Sequence, residues 1–141
     1  MSSGVLRRQY TIPGDDLTAA GEASSSVKKL LVQLGVDPVA IKKTAIAMYE
    51  AEINAVIHAN GGAADVFISK DSITIVIKDK GPGIADVNLA LQEGYSTASD
   101  KIREMGFGAG MGLPNMKRYA DELDIKTEVG KGTIVTLKVY F

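Results

Sequence analysis

Apolar and polar positions alternate loosely along residues 5–12, and the alternation stops at Pro13-Gly14, which predicts a first strand at a sheet edge closed by a turn. The spacing then changes. Residues 16–34 predict a helix with Asp15 or Asp16 as its N-cap and Gly35 as its stop. Pro38 opens a longer helical pattern, in which Ile41, Ala45, Met48, Ile53, Val56 and Ile57 supply an apolar side up to Gly61-Gly62. Two β-rich runs follow, 64–69 and 72–79, separated by Lys70-Asp71 and read as an antiparallel hairpin. Residues 113–123 return to helical spacing, and 125–129 with 133–140 make a closing hairpin around Gly130-Lys131-Gly132.

The order is strand, two helices, two strands, a glycine-rich segment, helix, two strands. With no internal repeat and no linker-like shift in composition, residues 1–141 are expected to form one domain. Its class is α/β (α+β): a two-layer sandwich with helices on one face of a mixed, mainly antiparallel sheet. Alternation at Ile73, Ile75 and Ile77 fits a sheet with one solvated face, or one face that meets a partner. Glycines at 81, 83, 94, 106, 108, 110 and 112 without a long periodic run predict a mobile lid over about 84–112.

Composition narrows the function. Sixteen Lys and Arg against seventeen Asp and Glu give a net charge of -1, without the basic excess that nucleic-acid binding requires. The absence of cysteine removes disulfides, thiolate nucleophiles and Cys-based zinc sites, and a single histidine, His58, rules out a paired-histidine metal motif within one chain. No apolar run reaches the ~20 residues of a membrane span, and the N-terminus has no apolar signal core. A cytoplasmic location is expected, with neither nucleic acid nor membrane as partner.

Three places carry candidate chemistry. Glu50, Asn54 and His58 recur every four residues, so they share one face of the long helix. An amide oxygen beside a carboxylate suits Mg²⁺ and the deprotonation of a hydroxyl, and equally suits a solvated surface row. Asp79-Lys80-Gly81-Pro82-Gly83 puts a carboxylate at a strand end before flexible backbone. It reads either as an acceptor for an exocyclic amine beside a wall that a flat ring can approach, or as an Asp-led turn. The run from Gly106 to Leu113 enters a helix and reads as a phosphate cradle or as a flexible linker. It matches neither a Walker A loop nor a dinucleotide fingerprint.

Taken in order, Glu50-x-x-x-Asn54, Asp79-x-Gly81-x-Gly83, the stretch from Gly108 to Gly112, and Gly132-Thr133 resemble the successive boxes of the GHKL ATPase superfamily, whose members share the Bergerat ATP-binding fold of histidine-kinase-like ATPases. Within it the chain looks most like small bacterial anti-sigma-factor serine kinases and stress-module switch kinases. Residues 50–59 are similar to the former, and Asp79-x-Gly-Pro-Gly-Ile, Glu93-Gly-Tyr-Ser-Thr97 and residues 108–118 to the latter.

The resemblance implies ATP and Mg²⁺ as cofactors. It implies that Asn54 binds the metal, that Glu50 is the catalytic residue assisting deprotonation of the attacking hydroxyl, and that Asp79 recognises the adenine amine. Gly81 and Gly83 would line the adenine pocket, Thr133 would sit near Asp79, and Gly108, Gly110 and Gly112 would contact phosphate. Lys101 and Arg103 are lid cations available to the developing phosphoryl charge.

The activity so implied is a protein serine/threonine kinase that phosphorylates a small STAS-domain anti-anti-sigma or antagonist protein and regulates transcription by partner switching. A sigma factor or a regulatory phosphatase is a further candidate partner, and a homodimer is left open. Two alternatives stand beside it: an ATP-dependent module that sequesters a sigma factor or regulator with little kinase activity, and a detached histidine-kinase catalytic domain. The last lacks a dimerising hairpin with a phosphoacceptor histidine.

Overall fold

The computed structural model describes residues 4–14, 19–59, 61–84, 87 and 112–141. Five strands, β1 (Leu6–Ile12), β2 (Gly62–Ile68), β3 (Ser72–Asp79), β4 (Glu122–Glu128) and β5 (Gly132–Tyr140), form one sheet in the order β1-β2-β3-β5-β4. All four pairings are antiparallel. The helices α1 (Glu22–Gln33), α2 (Pro38–Ala59) and α3 (Gly112–Tyr119) lie on one side. The two-layer sandwich expected from the sequence is the architecture found, with β1 at an edge as its polar alternation requires.

The period-two rule sorts the strands cleanly. Ala64, Val66 and Ile68 of β2, Ile73, Ile75 and Ile77 of β3, and Val135, Leu137 and Val139 of β5 are all buried against the helices. The opposite face is mixed: the Arg7 guanidinium stacks over Phe67 at 5.4 Å, and Gln9 Nε2 donates to Asp65 Oδ1 at 2.7 Å.

Helix α2 runs through the middle of the helical layer, in contact with α1, α3 and the sheet. Asp37 caps its start, accepting from Ala40 N–H at 3.2 Å, with Pro38 in the first turn as expected. Its end is set at Gly61, whose φ of 97° only glycine adopts without strain and on which a Cβ would lie 2.5 Å from Ile12 O. Of the apolar side expected for α2, Ile41, Met48, Ile53 and Val56 are buried, and Ala45 and Ile57 only partly so.

Helix α1 differs from expectation at its start. It begins at Glu22 rather than near Asp16, and the N-cap position is Gly21, which offers no side chain. The missing cap comes from α2. Glu52, 1% exposed, accepts from Gly21 N–H (2.9 Å) and Ala23 N–H (3.2 Å) through Oε2, and from Ser24 N–H (3.0 Å) through Oε1. Three amides that a helix start leaves unpaired are thus satisfied by one buried carboxylate, whose charge also suits the positive end of the helix dipole. At the other end Gly35 stops α1 as expected, through a Schellman pair in which Val36 N–H reaches Leu31 O and Gly35 N–H reaches Val32 O, both at 3.1 Å.

A second difference lies at α3, which ends at Tyr119 rather than Leu123; Glu122 and Leu123 already belong to β4, and that strand starts three residues earlier than expected. The run Tyr119 to Leu123 has helix-forming residues, but Leu123 pairs with Leu137 and Ile125 with Val135, so sheet burial overrides local propensity. Strand β2 likewise starts earlier, at Gly62, because Gly62 pairs with Ile12 of β1. Among the described residues no helix is long and apolar enough to cross a membrane.

Replacing Glu52 by Ala removes the acceptor of three N–H groups, two of them buried, and a loss of about 3 kcal/mol is expected, seen as a fall in Tm on the order of 8 °C. Glu52→Gln retains one good acceptor and should fall between. Thermal unfolding of the two variants checks the order, and an Ala variant as stable as the parent would show that the cap carries no weight.

Candidate functional site

The polar row of α2 is neither on the open surface nor fully buried. Glu50, Asn54 and His58 are each partly covered, and the cover over the first two is α3. At its first residue the Cβ that Gly112 lacks would fall 2.8 Å from Asn54 Oδ1 and 2.9 Å from Nδ2, so any larger residue there would push the Asn54 amide aside. One turn on, Asn115 Nδ2 donates to Glu50 Oε1 at 3.5 Å, a long bond at the limit of the geometry. Leu113 and Met116, both buried, hold α3 in this position.

Partial burial pushes the Glu50 carboxyl above its ordinary value, and the Asn115 bond pulls it part of the way back. Burial also pushes the His58 imidazole down, which favours its neutral form. A carboxyl with a raised pKa is a stronger base once ionised, which suits it to take a proton from a hydroxyl.

A second group lies at the end of the sheet. Asp79 closes β3 and pairs with Thr133 of β5, and its Oδ1 accepts from Gly81 N–H at 2.9 Å and from Thr133 N–H at 3.2 Å. Both donors act on one oxygen, so the carboxylate is fixed in orientation with Oδ2 outside these two bonds. Thr127 of β4 stands opposite Thr133, and the two hydroxyls are 2.9 Å apart.

The glycines here answer to the protein's own packing. A Cβ on Gly81 would come 2.6 Å from Ala59 at the end of α2, and one on Gly83 2.5 Å from Glu128 O. Gly81 therefore joins the two halves of the site, because it brings the Asp79 loop against the helix that carries Glu50 and Asn54. Nine residues separate Glu50 from Ala59, about 13 Å along the helix axis. An open cleft of about 1090 Å³ at this end of the sheet is lined by His58, Gly62, Lys78, Asp79, Gly81 and Ile134, among others.

Of the residues singled out from the sequence, Glu50, Asn54 and Gly112 come together at α2 and α3, and Asp79, Gly81 and Thr133 at the sheet end, with Gly83 beside β4. Lys101, Arg103, Gly108 and Gly110, and most of the lid expected over 84–112, lie outside the described residues. Asn115 and Thr127 went unmarked by sequence reasoning. Asn115 directly follows the glycine run by two residues, which is a signal of position if not of role; Thr127 offers none beyond its place opposite Thr133 in a hairpin.

A model of the histidine kinase-like ATPase domain matches residues 15–139. The chain belongs to that family. Among curated relatives, the anti-sigma F factor of Thermoanaerobacter sp. (strain X514) is 34% identical over 110 residues, covering 74% of this chain and 72% of the relative. The serine/threonine-protein kinase RsbT of Bacillus subtilis (strain 168) is 30% identical over 122 residues, covering 84% of each.

Solved structures agree on the fold of this ATPase domain. The RsbU and RsbW domains of Rv1364c from Mycobacterium tuberculosis superpose with a TM-score of 0.63 at 16% identity, covering 96% of this chain; the chain spans 33% of that larger one. The mycobacterial sensor histidine kinase MprB gives 0.54 at 16% identity, over 96% of this chain and 97% of that one. The GHKL membership expected from the ordered motifs is therefore established, with relatives named anti-sigma F factor and serine/threonine-protein kinase.

The raised Glu50 pKa has a stability consequence. The folded chain holds this proton more tightly than the unfolded chain, so ionising Glu50 costs stability; the cost is absent below the ordinary value of 4.5 and complete above the folded-state pKa. Glu50→Gln should accordingly resist urea better than the parent at pH 7, with the advantage shrinking as the pH falls toward 4.5. Urea melts at several pH values check the sign.

Proposed function

We propose that the chain is an ATP-dependent protein serine/threonine kinase that transfers the γ-phosphoryl group to a small STAS-domain partner and so changes which regulator that partner or the kinase binds. The observation that supports this most directly is Glu50: a carboxyl of raised basicity, covered by α3, one helical turn from Asn54. In this reading Glu50 accepts the proton of the attacking hydroxyl. The hydroxyl oxygen bonds to the γ-phosphorus as the bond to the ADP oxygen breaks.

The donors fit ATP and Mg²⁺. Among the described residues no group of three acidic or histidine side chains is gathered for a metal ion. Asn54 would thus be a lone protein oxygen for Mg²⁺, the rest coming from phosphate and water, the pattern usual for this cation. The metal would neutralise phosphate charge. Asp79, acceptor-only when ionised, suits the adenine amine, with Gly81, Gly83 and Thr133 around it. In the same reading Gly108, Gly110 and Gly112 contact the phosphates, and Lys101 and Arg103 offset the charge that develops on them.

A second reading has support of its own, since several relatives carry the name anti-sigma F factor. Here the chain sequesters a sigma factor or another regulator in a nucleotide-dependent way, with little transfer. The likeness to MprB extends to fold alone and lends nothing to histidine transfer.

Mixing the pure chain with Mg·ATP and candidate STAS proteins separates the readings. Acid-stable phosphate on the partner is the expected result, and nucleotide-dependent binding without phosphorylated product would favour sequestration. Glu50→Ala should lower transfer by about 100-fold or more while ATP still binds, and Asp79→Asn should abolish binding. Transfer by the Ala variant at the parental rate would remove Glu50 from the mechanism.

A further inference from the structure

The end of the sheet carries a hydroxyl pair whose protons can be assigned. Thr127, Thr133 and Asp79 occupy adjacent strands β4, β5 and β3 in one cross-strand row, on the same side as the buried Val135 and Ile77. Thr127 Oγ1 has three neighbours: Ile84 N–H at 2.8 Å, Gly132 O at 3.1 Å and Thr133 Oγ1 at 2.9 Å.

A threonine hydroxyl has one proton and two lone pairs. The Ile84 amide only donates and the Gly132 carbonyl only accepts, so the proton of Thr127 goes to Gly132 and one lone pair receives Ile84. The contact with Thr133 fits either direction by distance alone, but when all three bonds are made together only the second lone pair is left for Thr133, which is then the donor. With its proton committed, the Thr133 hydroxyl has nothing but lone pairs to offer a ligand. Asp79 beside it, when ionised, likewise only accepts.

We propose that Thr127 is a positioning residue that sets base specificity: by binding the Thr133 proton it leaves this end of the site lined with acceptors, which select an exocyclic amine in direct contact over an exocyclic carbonyl. The inference rests on the adenine-nucleotide reading given above. It adds to that reading a second-row residue that touches no ligand and yet decides which purine is bound. A carbonyl at the same place meets lone pairs with lone pairs, and the buried acceptors lose their partner.

Calorimetric titration with ATP and with inosine triphosphate, in which a carbonyl replaces the amine, tests it. The parent should prefer ATP. Thr127→Val, nearly the same shape, frees the Thr133 proton to turn outward, and the ratio of the two affinities should narrow by about five- to tenfold; Thr127→Ser should restore it. Where the Val variant does not fold, Thr127→Ala is read in the same way. In a Thr133→Val background the Thr127→Val change should leave the ratio alone, whereas a purely structural role would move affinities equally in both backgrounds. An unchanged ratio in a Thr127 variant that still binds ATP overturns the relay alone; a parent chain that binds neither triphosphate overturns the nucleotide reading, and the relay with it.

Discussion

On the covered sides of a helix a polar side chain must be answered by a neighbour, and the arrangement of this molecule follows from how α2 meets that constraint. Glu52 is answered by the first amides of α1 and Glu50 by Asn115 of α3, while Gly112, lacking a Cβ, leaves room for the Asn54 amide. Apolar packing brings the layers together, but it is non-directional. The hydrogen bonds fix how far along α2 each neighbour sits, and through them the start of α1 and the start of α3 are both referred to one helix.

The two halves of the site are joined by the same means. The Asp79 loop reaches α2 only because Gly81 leaves room for Ala59, and the loop is pinned in turn by the Thr133 amide. A displacement of α2 would therefore be felt at Asp79 as well as at Glu50. The basicity of Glu50 belongs to this geometry: the partial burial that raises its pKa exists because α3 lies over it. Holding Glu50 in this place therefore costs the fold some stability whenever the carboxyl is ionised.

What the sequence revealed and what it concealed divide by range. Strands β3 and β5 were legible because a period of two in Ile73, Ile75, Ile77 and Val135, Leu137, Val139 is a local property. Gly35 and Pro38 were legible as stop and start for the same reason. The start of α1 was not, because its cap is Glu52, thirty residues away, and a local N-cap search settles on the nearest aspartates. The end of α3 was misjudged because pairing with β5 outweighs helix propensity in 119–123. At the site, motif order brought out Glu50, Asn54, Asp79, Gly81 and Thr133, whereas Asn115 and Thr127 matter only through side chains they meet across the fold.

The glycines around Asp79 constrain how such a site can diversify. A Cβ at Gly62 would strike Lys78 O at 2.2 Å, one at Gly132 would strike Asp79 O at 2.2 Å, and those at Gly81 and Gly83 would strike backbone at 2.6 and 2.5 Å. These walls are main chain against main chain, which no rotamer change relieves. Adaptation to a new ligand cannot proceed by enlarging or shrinking side chains there, as it does in most pockets. It is channelled instead into groups one layer back, where exchanging a hydroxyl for a methyl alters the electrical character of the cavity without altering its shape.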